Sequence, residues 1–218
     1  MEFSQAGKND ILYWSKRLYQ KGMSPATSGN ISVKTKQGIL ISASGTCLND
    51  MDEKDIVLID YNGNIIEGDK KPSSEKIMHS AIYTQRDDIN AIIHCHCPVI
   101  TAFAVANVEI NKPILPDFAL VYDKIPIVPF YTPSSIELAD EVGKYFENNN
   151  VVLLKNHGVV LGADKLQNAF YALESLRAYC ETYFGAEVLG GAKAISKKEV
   201  LKIKKLYNQN WPQIKNLL

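Results

Sequence analysis

The sequence has no excess of charge, because its 24 lysine and arginine residues match its 24 aspartate and glutamate residues. A balanced chain has no strong electrostatic field that would attract nucleic acid or an anionic membrane. It also lacks any run of roughly 18 apolar residues, the length that a membrane-spanning helix needs. The first segment, MEFSQAGKNDILYWSKRLYQ, has scattered charges and no apolar stretch before a cleavage site, unlike a signal peptide. We therefore expect a cytoplasmic protein that binds neither nucleic acid nor membrane.

Cysteine is scarce, with four residues in 218, and a cytoplasmic domain of this size does not depend on disulfide bonds. We expect free and mostly buried thiols. The glycine-rich phosphate-binding patterns of nucleotide-binding folds are absent, so such a fold is not indicated. The composition, with 46% hydrophobic and 22% charged residues, is typical of a globular protein with a full core. We predict a single domain over residues 1–218.

Two pairs of β-rich runs occupy the first third of the chain, and a short turn containing glycine separates the members of each pair. We predict strands at 31–35, 39–43, 56–60, 64–67, 91–97, 151–154 and 158–161. We predict helices at 9–20, from Ser73 or Ser74 to 86, and at 98–106, 134–147, 164–189 and 196–208. The proline-rich segment 111–131 has no assignable pattern. Hairpins with interspersed helices predict an α/β layered fold with a largely antiparallel sheet.

A pair of histidines, His94 and His96, flanks Cys95 at the end of a predicted strand. Residues i and i+2 of a strand project to the same face, so both imidazoles can point at one metal ion. Two core or surface histidines explain an isolated pair equally well. A third histidine, His157, precedes Gly158 in a predicted turn between two strands, and the three together favour a metal site.

The ligand type indicates what such a site would do. Three neutral imidazoles leave a bound ion with net positive charge and a free coordination position, which is typical of a catalytic rather than a structural site. This ligand set favours Zn2+, and Co2+ or Mn2+ would also fit because nitrogen ligands discriminate poorly among these ions. The fourth histidine, His79, lies four residues after Glu75 on the same helical face. A buried histidine with satisfied hydrogen bonds explains His79 better than a ligand does.

Glu75 follows Ser73 and Ser74 at the predicted start of a helix. Free backbone N–H groups and the positive end of the helix dipole can bind a phosphate there, and a neighbouring carboxylate could act as a base. A helix cap with an acidic first turn is the commoner explanation of this segment alone. Segments 27–30 and 42–46 are similarly rich in small residues and donors, although turn formation explains each of them nearly as well.

Taken together, these segments resemble the class II aldolase and epimerase family, which includes L-fuculose-1-phosphate aldolase and L-ribulose-5-phosphate 4-epimerase. The matching segments are 27–30, 44–45, 72–75, 94–96 and 156–158, in the order of the family, and the resemblance extends over residues 10 to 190 or so. It implies a single α/β/α layered domain built on a mostly antiparallel sheet. It also implies a homotetramer with active sites at subunit interfaces.

The resemblance further implies a set of site residues. A Zn2+ ion would be held by His94, His96 and His157, with Glu75 as a further ligand at rest and as the acid/base during reaction. The substrate phosphate would be bound by Thr27, Asn30, Ser44, Gly45, Ser73 and Ser74. The implied reaction is metal-dependent cleavage of a ketose 1-phosphate, similar to L-fuculose 1-phosphate, to dihydroxyacetone phosphate and an aldehyde.

The second acid/base departs from the family pattern. Where the fuculose aldolase has a tyrosine, this chain offers Asp117, and a loop aspartate that caps a turn explains that residue equally well. Tyr207 is the candidate for a family tyrosine near the C terminus. Other functions stay open: a sugar-phosphate 4-epimerase, a methylthioribulose-1-phosphate dehydratase, an oxo-acid-phosphate decarboxylase, or a non-catalytic module similar to the adducin head. The glutamate at position 75 disfavours the epimerase, and the retained histidines disfavour the adducin-like module.

Overall fold

Residues 2–210, which this computed structural model describes, form one eight-stranded sheet flanked by seven α-helices. The strands are β1 (Asn30–Thr35), β2 (Gly38–Ser42), β3 (Ile56–Ile59), β4 (Ile65–Glu67), β5 (Ala91–Cys95), β6 (Ile127–Val128), β7 (Val151–Leu154) and β8 (Gly158–Ala163). The helices are α1 (Glu2–Gln20), α2 (Lys76–Gln85), α3 (Pro98–Ala106), α4 (Pro116–Val121), α5 (Ile136–Phe146), α6 (Leu166–Val188) and α7 (Lys197–Asn210). None of the described helices is long and apolar enough to cross a membrane.

The sheet has the strand order β4-β3-β2-β1-β5-β8-β7-β6. Neighbouring strands are antiparallel except for β6 and β7, which are parallel. The two predicted hairpins are confirmed, since β1 pairs with β2 and β3 pairs with β4. The predicted α/β fold with a largely antiparallel sheet is therefore confirmed as well.

Helices cover both faces of the sheet because successive strand residues point to opposite faces. On β5, Ile93 packs into a core with α1, α3 and α6, whereas Ile92 packs into a second core with α2 and α5. Burial on both faces explains why the central strands are nearly continuous apolar runs. Fully burying one such side chain contributes about 1.5–3 kcal/mol to folding. The helices and the sheet thus form the three layers that the resemblance implied.

Some predicted boundaries were wrong. The helix predicted to start at Ser73 or Ser74 begins at Lys76, with Glu75 as its N-cap residue. The unassigned segment 111–131 contains α4 and β6, which are too short to give a periodic pattern. Pro116 begins α4, where its missing N–H costs no helical hydrogen bond. The N-terminal helix begins at Glu2 rather than at residue 9.

Two further predictions concern the whole chain. The cysteines are free, as predicted, and three of the four are buried. The prediction of one domain over 1–218 stays a prediction, because residues 1 and 211–218 lie outside the described part of the chain.

The strand ends that carry the predicted site residues lie at one end of the sheet, because antiparallel neighbours run in opposite directions. Asn30, the first residue of β1, is paired with His94 near the end of β5. Gly158, the first residue of β8, is paired with Leu154, the last residue of β7. Segments that are far apart in the sequence therefore converge on this end of the sheet.

Candidate metal centre

Three histidines converge at this end of the sheet. His94 belongs to β5, His96 follows the strand, and His157 lies in the turn between β7 and β8. One ring nitrogen from each lies within 4.8 Å of the others, and the Nε2 atoms of His94 and His96 are 3.2 Å apart. The three ring centroids are 4.8 to 5.0 Å from one another. The structure thus brings together the three predicted histidines around a single point.

The turn that presents His157 depends on two unusual backbone positions. Asn156 has a φ of 57°, a left-handed conformation that asparagine tolerates better than most residues. Gly158 has no room for a side chain, since a Cβ there would lie 2.5 Å from the carbonyl oxygen of Cys95 and 2.9 Å from Cδ2 of His96. The Asn156-His157-Gly158 sequence therefore allows the imidazole of His157 to approach the β5 histidines closely.

The buried histidine, His94, has its ring orientation and tautomer fixed by a backbone group. Its Nδ1 lies 3.1 Å from the carbonyl oxygen of Val159, which can only accept a hydrogen bond. The proton of the neutral ring is therefore on Nδ1, and Nε2 is left with a free lone pair directed at the other histidines. A hydrogen bond of this kind on the second ring nitrogen is typical of metal-ligating histidines.

Burial keeps the three imidazoles neutral. It lowers the pKa of His94 well below its ordinary value, and the neighbouring histidines lower it further. Burial, together with His157, lowers the pKa of His96 to about 4. Burial also lowers the pKa of His157, although the charge of Glu75 opposes that shift. Neutral imidazoles are the form that binds a metal ion.

Glu75 lies beside the histidines and not in the first turn of α2. Its side chain is not hydrogen-bonded to the helix start, and Oε2 is 3.7 Å from Nε2 of His94. The residue is only 5% exposed, and Oε2 has no hydrogen-bond partner in the described part of the chain. An unpartnered buried carboxylate oxygen is costly, and a cation at the histidine cluster would satisfy it.

The donor set fits a divalent metal ion. Three neutral nitrogen ligands and one carboxylate leave a net charge of about +1 on a bound Zn2+ and correspond to ligand types that zinc prefers. The same donors would accept Co2+ or Mn2+. The residues present therefore fit the group that the resemblance implied.

The segments predicted to bind phosphate lie around this cluster. The backbone N–H of Ser44 donates to the carbonyl of Lys71 at 2.9 Å, and that of Ser73 donates to the carbonyl of Ser42 at 3.0 Å. These bonds place the Ser44-Gly45 turn directly beside the Ser73-Ser74 segment that leads to the carboxylate. Ser44, Gly45 and Ser74 are exposed, whereas Ser73 is buried.

The other predicted phosphate residues lie on the segment that enters β1. Asn30 is paired with His94, and Thr27 is exposed in the preceding loop. Between them Gly29, with a φ of 79°, has no space for a side chain, because a Cβ would lie 2.7 Å from the carbonyl oxygen of His94. The sequence indicates only that segment 27–30 is rich in small residues and donors, and the structure gives Gly29 itself a packing role. Phosphate binding by these residues stays a prediction.

Two predicted residues lie apart from the histidines. Asp117 is exposed in the first turn of α4, and it makes no hydrogen bond or ion pair with the cluster in the described part of the chain. Tyr207 is half-buried in α7, the helix that packs on α4. Their roles as acid/base groups stay predictions.

One contact of Glu75 was not predicted. Ser134, in the loop before α5, has a φ of 67° and donates its hydroxyl to Oε1 of Glu75 at 3.3 Å. Its neighbour Ser135 caps α5 by accepting a hydrogen bond from the N–H of Leu138. A serine pair before a helix indicates a cap, and nothing in the local sequence assigns one of the two to a carboxylate elsewhere in the chain.

The comparisons with known proteins agree with this site. Residues 9–184 match the family described as Class II Aldolase and Adducin N-terminal domain. The chain belongs to this family. Over 205 residues it is 30% identical to the 5-deoxy-D-ribulose 1-phosphate aldolase of Bacillus thuringiensis serovar kurstaki, covering 93% of this chain and 96% of that protein. Over 169 residues it is 37% identical to the L-fuculose phosphate aldolase of Methanocaldococcus jannaschii, covering 78% and 91%.

Members of the class II aldolase family also share the fold. A solved structure of L-fuculose 1-phosphate aldolase has a TM-score of 0.85 and 32% identity to this chain, covering 93% of this chain and 96% of that one.

A relative with a different reaction is also similar in sequence. The 3-oxo-tetronate 4-phosphate decarboxylase of Haemophilus influenzae is 28% identical over 184 residues, which cover 82% of this chain and 87% of that protein. The predicted resemblance is confirmed. The relatives differ in substrate and in reaction, so membership alone does not define either.

Proposed function

We propose that this protein is a divalent-metal-dependent aldolase that cleaves a ketose 1-phosphate, similar to L-fuculose 1-phosphate, to dihydroxyacetone phosphate and an aldehyde. The observation that carries the proposal is the unpartnered Oε2 of Glu75 beside three converging neutral imidazoles. The two aldolases named above act on phosphorylated sugars, as their names state, and both cover most of this chain.

The proposed metal ligands are His94, His96 and His157, with Glu75 as the fourth. When bound, a divalent ion supplies positive charge opposite the negative charge that develops on the substrate oxygens as the carbon–carbon bond breaks. His94, which is 1% exposed, closes the inner side of this site. Because the three histidines are neutral, Glu75 is the one proposed ligand that offsets the positive charge of the ion.

Glu75 is the proposed acid/base. Retro-aldol cleavage removes a proton from the hydroxyl of the aldehyde half and adds one to the carbon of the triose phosphate half. Ser134 holds Oε1 of Glu75, so Oε2, which would be a ligand at rest, is the atom that can carry the proton to that carbon once the substrate has taken its place. A positioned carboxylate typically contributes about 10²- to 10⁴-fold to such a step. Asp117 and Tyr207 are the proposed candidates for the proton on the aldehyde oxygen.

The phosphate of the substrate would be bound by hydrogen-bond donors around the cluster. These are Thr27, Asn30, Ser44, Gly45, Ser73 and Ser74. The Ser44-Gly45 turn and the Ser73-Ser74 segment lie side by side next to Glu75, which supports one shared pocket. The homotetramer with interfacial active sites and the cytoplasmic location belong to the same proposal.

A second candidate is decarboxylation of an oxo-acid phosphate. The similarity to the 3-oxo-tetronate 4-phosphate decarboxylase supports it, because loss of CO2 beside a carbonyl also leaves negative charge on substrate oxygens. The same metal ligands would serve both reactions. The dehydratase stays an open alternative. The glutamate at position 75 disfavours the epimerase, and the complete ligand set disfavours the non-catalytic adducin-like module.

The first experiment compares metal content and reaction products. The metal-loaded protein is incubated with L-fuculose 1-phosphate, 5-deoxy-D-ribulose 1-phosphate and 3-oxo-tetronate 4-phosphate, and both dihydroxyacetone phosphate and CO2 are measured. His94→Ala should lose the metal and the activity. Cys95→Ala, at the buried neighbour that faces the opposite side of the sheet, is the matched control and should retain both.

The products identify the reaction, and the metal content tests the metal site. Triose phosphate from a ketose 1-phosphate supports the aldolase, whereas CO2 from the oxo-acid phosphate alone supports the decarboxylase. Absence of a bound divalent ion from the wild-type protein would contradict both.

A further inference from the structure

A chain of buried polar side chains lies behind the histidine cluster, between β1 and α2. The hydroxyl of Tyr83 is 2.8 Å from Oγ of Ser32, which is 2.6 Å from Nδ1 of His79. Nε2 of His79 is in turn 2.6 Å from Oδ1 of Asn30. Asn30 and Ser32 are two residues apart on β1 and share one face of the strand. His79 and Tyr83 are four residues apart on α2 and share one face of the helix, which explains how the four side chains meet.

The burial of this chain requires that its hydrogen bonds be satisfied. His79 and Ser32 are fully buried, Tyr83 is 2% exposed and Asn30 is 6% exposed. A buried polar group without a partner costs about 1–3 kcal/mol. The earlier interpretation of His79 as a buried histidine with satisfied hydrogen bonds is confirmed.

Tyr83, at the end of the chain away from Asn30, determines which group donates and which accepts in each hydrogen bond. Its hydroxyl has one proton, and Oγ of Ser32 is the acceptor for it in the described part of the chain. Ser32 must then donate its own proton to Nδ1 of His79. The ring of His79 is fully buried, and its two nitrogens are bonded to a hydroxyl and to an amide and not to a carboxylate, so the ring is neutral and has a single proton. Because Nδ1 accepts, that proton is on Nε2, which donates to Oδ1 of Asn30.

This direction determines which group of Asn30 is left over. Its Oδ1 is occupied by His79, and its Nδ2 has no hydrogen-bond partner in the part of the chain that the structure describes. Asn30 is paired with His94, so the two free N–H bonds are beside the proposed metal site. Nδ2 of Asn30 is not one of the buried side-chain atoms that lack a hydrogen-bond partner, so it reaches the surface of the site, where a ligand can accept its hydrogen bonds.

We propose that Tyr83, Ser32 and His79 form a relay that holds the Asn30 amide with its NH2 group towards an anionic group of the substrate. The inference rests on the phosphate-binding role proposed above for Asn30. Reversal of the relay would leave the Tyr83 proton without an acceptor and would turn the carbonyl oxygen of Asn30 towards the anion. The relay residues do not touch the substrate and act by positioning Asn30.

The direct test of the relay uses nitrogen NMR on the zinc-loaded wild-type protein. The expected result is a neutral His79 with its proton on Nε2 and an acceptor Nδ1. Addition of inorganic phosphate should shift the side-chain NH2 signals of Asn30 and leave the tautomer of His79 unchanged. A proton on Nδ1, or NH2 signals that do not respond to phosphate, would overturn the proposal.

Variants provide a second test that does not depend on NMR. Ser32→Ala interrupts the relay, so Kd for inorganic phosphate and KM for the ketose phosphate should rise about two- to tenfold, the loss expected for one neutral hydrogen bond. The kcat and the zinc content should stay close to the wild-type values. Tyr83→Phe removes only the hydroxyl that donates to Ser32, so Kd for phosphate and KM should rise less than in Ser32→Ala.

The matched control is Tyr145→Phe, which removes a hydroxyl from a partly buried tyrosine packed on the same face of the sheet. It should leave phosphate affinity unchanged. A folded, zinc-loaded Ser32→Ala protein with wild-type phosphate affinity would contradict the relay. If that variant does not fold, the tautomer of His79 in the wild-type protein still tests whether the relay exists.

These measurements are independent of the proposed reaction. A protein with the expected tautomer and phosphate response that cleaves no ketose phosphate would disprove the aldolase and leave the relay established. A protein that cleaves the substrate but has the opposite tautomer would disprove the relay alone.

Discussion

The two faces of the sheet differ in what they bury. The face covered by α1, α3 and α6 packs large apolar side chains, among them Trp14 and Phe170, whose rings lie 5.0 Å apart. The face covered by α2 and α5 buries an apolar core too, but near the end of the sheet it also buries His79, His94 and Glu75. Both faces thus have an apolar core, but the buried polar groups of the site lie on the second. Substitutions on the two faces should have separable effects.

The largest expected effect is on the rate of the proposed reaction. Glu75→Gln keeps the shape of the side chain but removes the proton-transfer group, so we expect kcat for cleavage to fall about 10²- to 10⁴-fold. The metal should remain bound by the histidines. The measurement is initial rate together with metal content, and Glu147→Gln, at an exposed glutamate, is the control. Activity within a few-fold of wild type would contradict the role of Glu75.

On the opposite face, Phe170→Ala should lower the free energy of unfolding by about 3–5 kcal/mol, because it leaves a cavity beside Trp14. Metal binding by the folded fraction should be unaffected. Urea denaturation measures the loss, and Phe184→Ala on the same helix, where the side chain is 63% exposed, is the comparison. An equal loss of unfolding free energy in the two variants would mean that burial of Phe170 against Trp14 does not stabilise the fold.

A charged contact beside the predicted phosphate pocket should add a pH-dependent contribution. Burial of Asp55 opposes its ionisation, but hydrogen bonds from Lys70, the backbone of Asp52 and Thr46 outweigh this and hold its pKa below the ordinary value. Since the pKa is lower in the folded than in the unfolded protein, the contribution is present at neutral pH and is lost as the pH falls below about 4.

Asp55→Asn should therefore cost about 2 kcal/mol at pH 7, the value of a hydrogen bond to a charged group, and much less in acid. Urea denaturation of the two proteins at neutral and at acidic pH measures the difference. A loss that stays the same at both pH values would contradict the ionic origin.

The smallest expected effect comes from the support of Glu75. Ser134→Ala removes the hydroxyl that donates to Oε1, so we expect kcat to fall about two- to tenfold with unchanged stability. Ser134→Gly also removes the hydroxyl but suits the positive φ at this position, and it should lose the same activity. Different activities for the two variants would indicate that the backbone, and not the hydroxyl, positions the carboxylate.

The sequence predicted those parts of the site that depend on local geometry. The i, i+2 spacing of His94 and His96 at the end of a predicted strand, together with His157 before a glycine, favoured a metal site. The hairpins of the first third followed from alternating apolar runs and glycine turns. The hairpins and the approach of His94 to His96 depend on residues close together in the chain, whereas His157 reaches them through the pairing of β5 with β8.

Contacts between distant segments could not be predicted in this way. The local pattern predicts Glu75 in the first turn of a helix, whereas the residue is the N-cap of α2 and its carboxylate lies beside His94. Ser134, 59 residues away, gives no local sign of its contact with that carboxylate. The hydrogen bond between His79 and Asn30 likewise joins two elements, and its direction depends on burial that appears only in the folded chain.

The edges of the sheet limit how copies of this protein can associate. The edge strands β4 and β6 have three and two residues, so neither offers enough backbone for a strand of another chain to pair along it. Short edges protect a folded chain against uncontrolled strand addition and fibril growth. Short edges favour assembly through helices and loops, where side chains and not backbone ladders decide which surfaces fit.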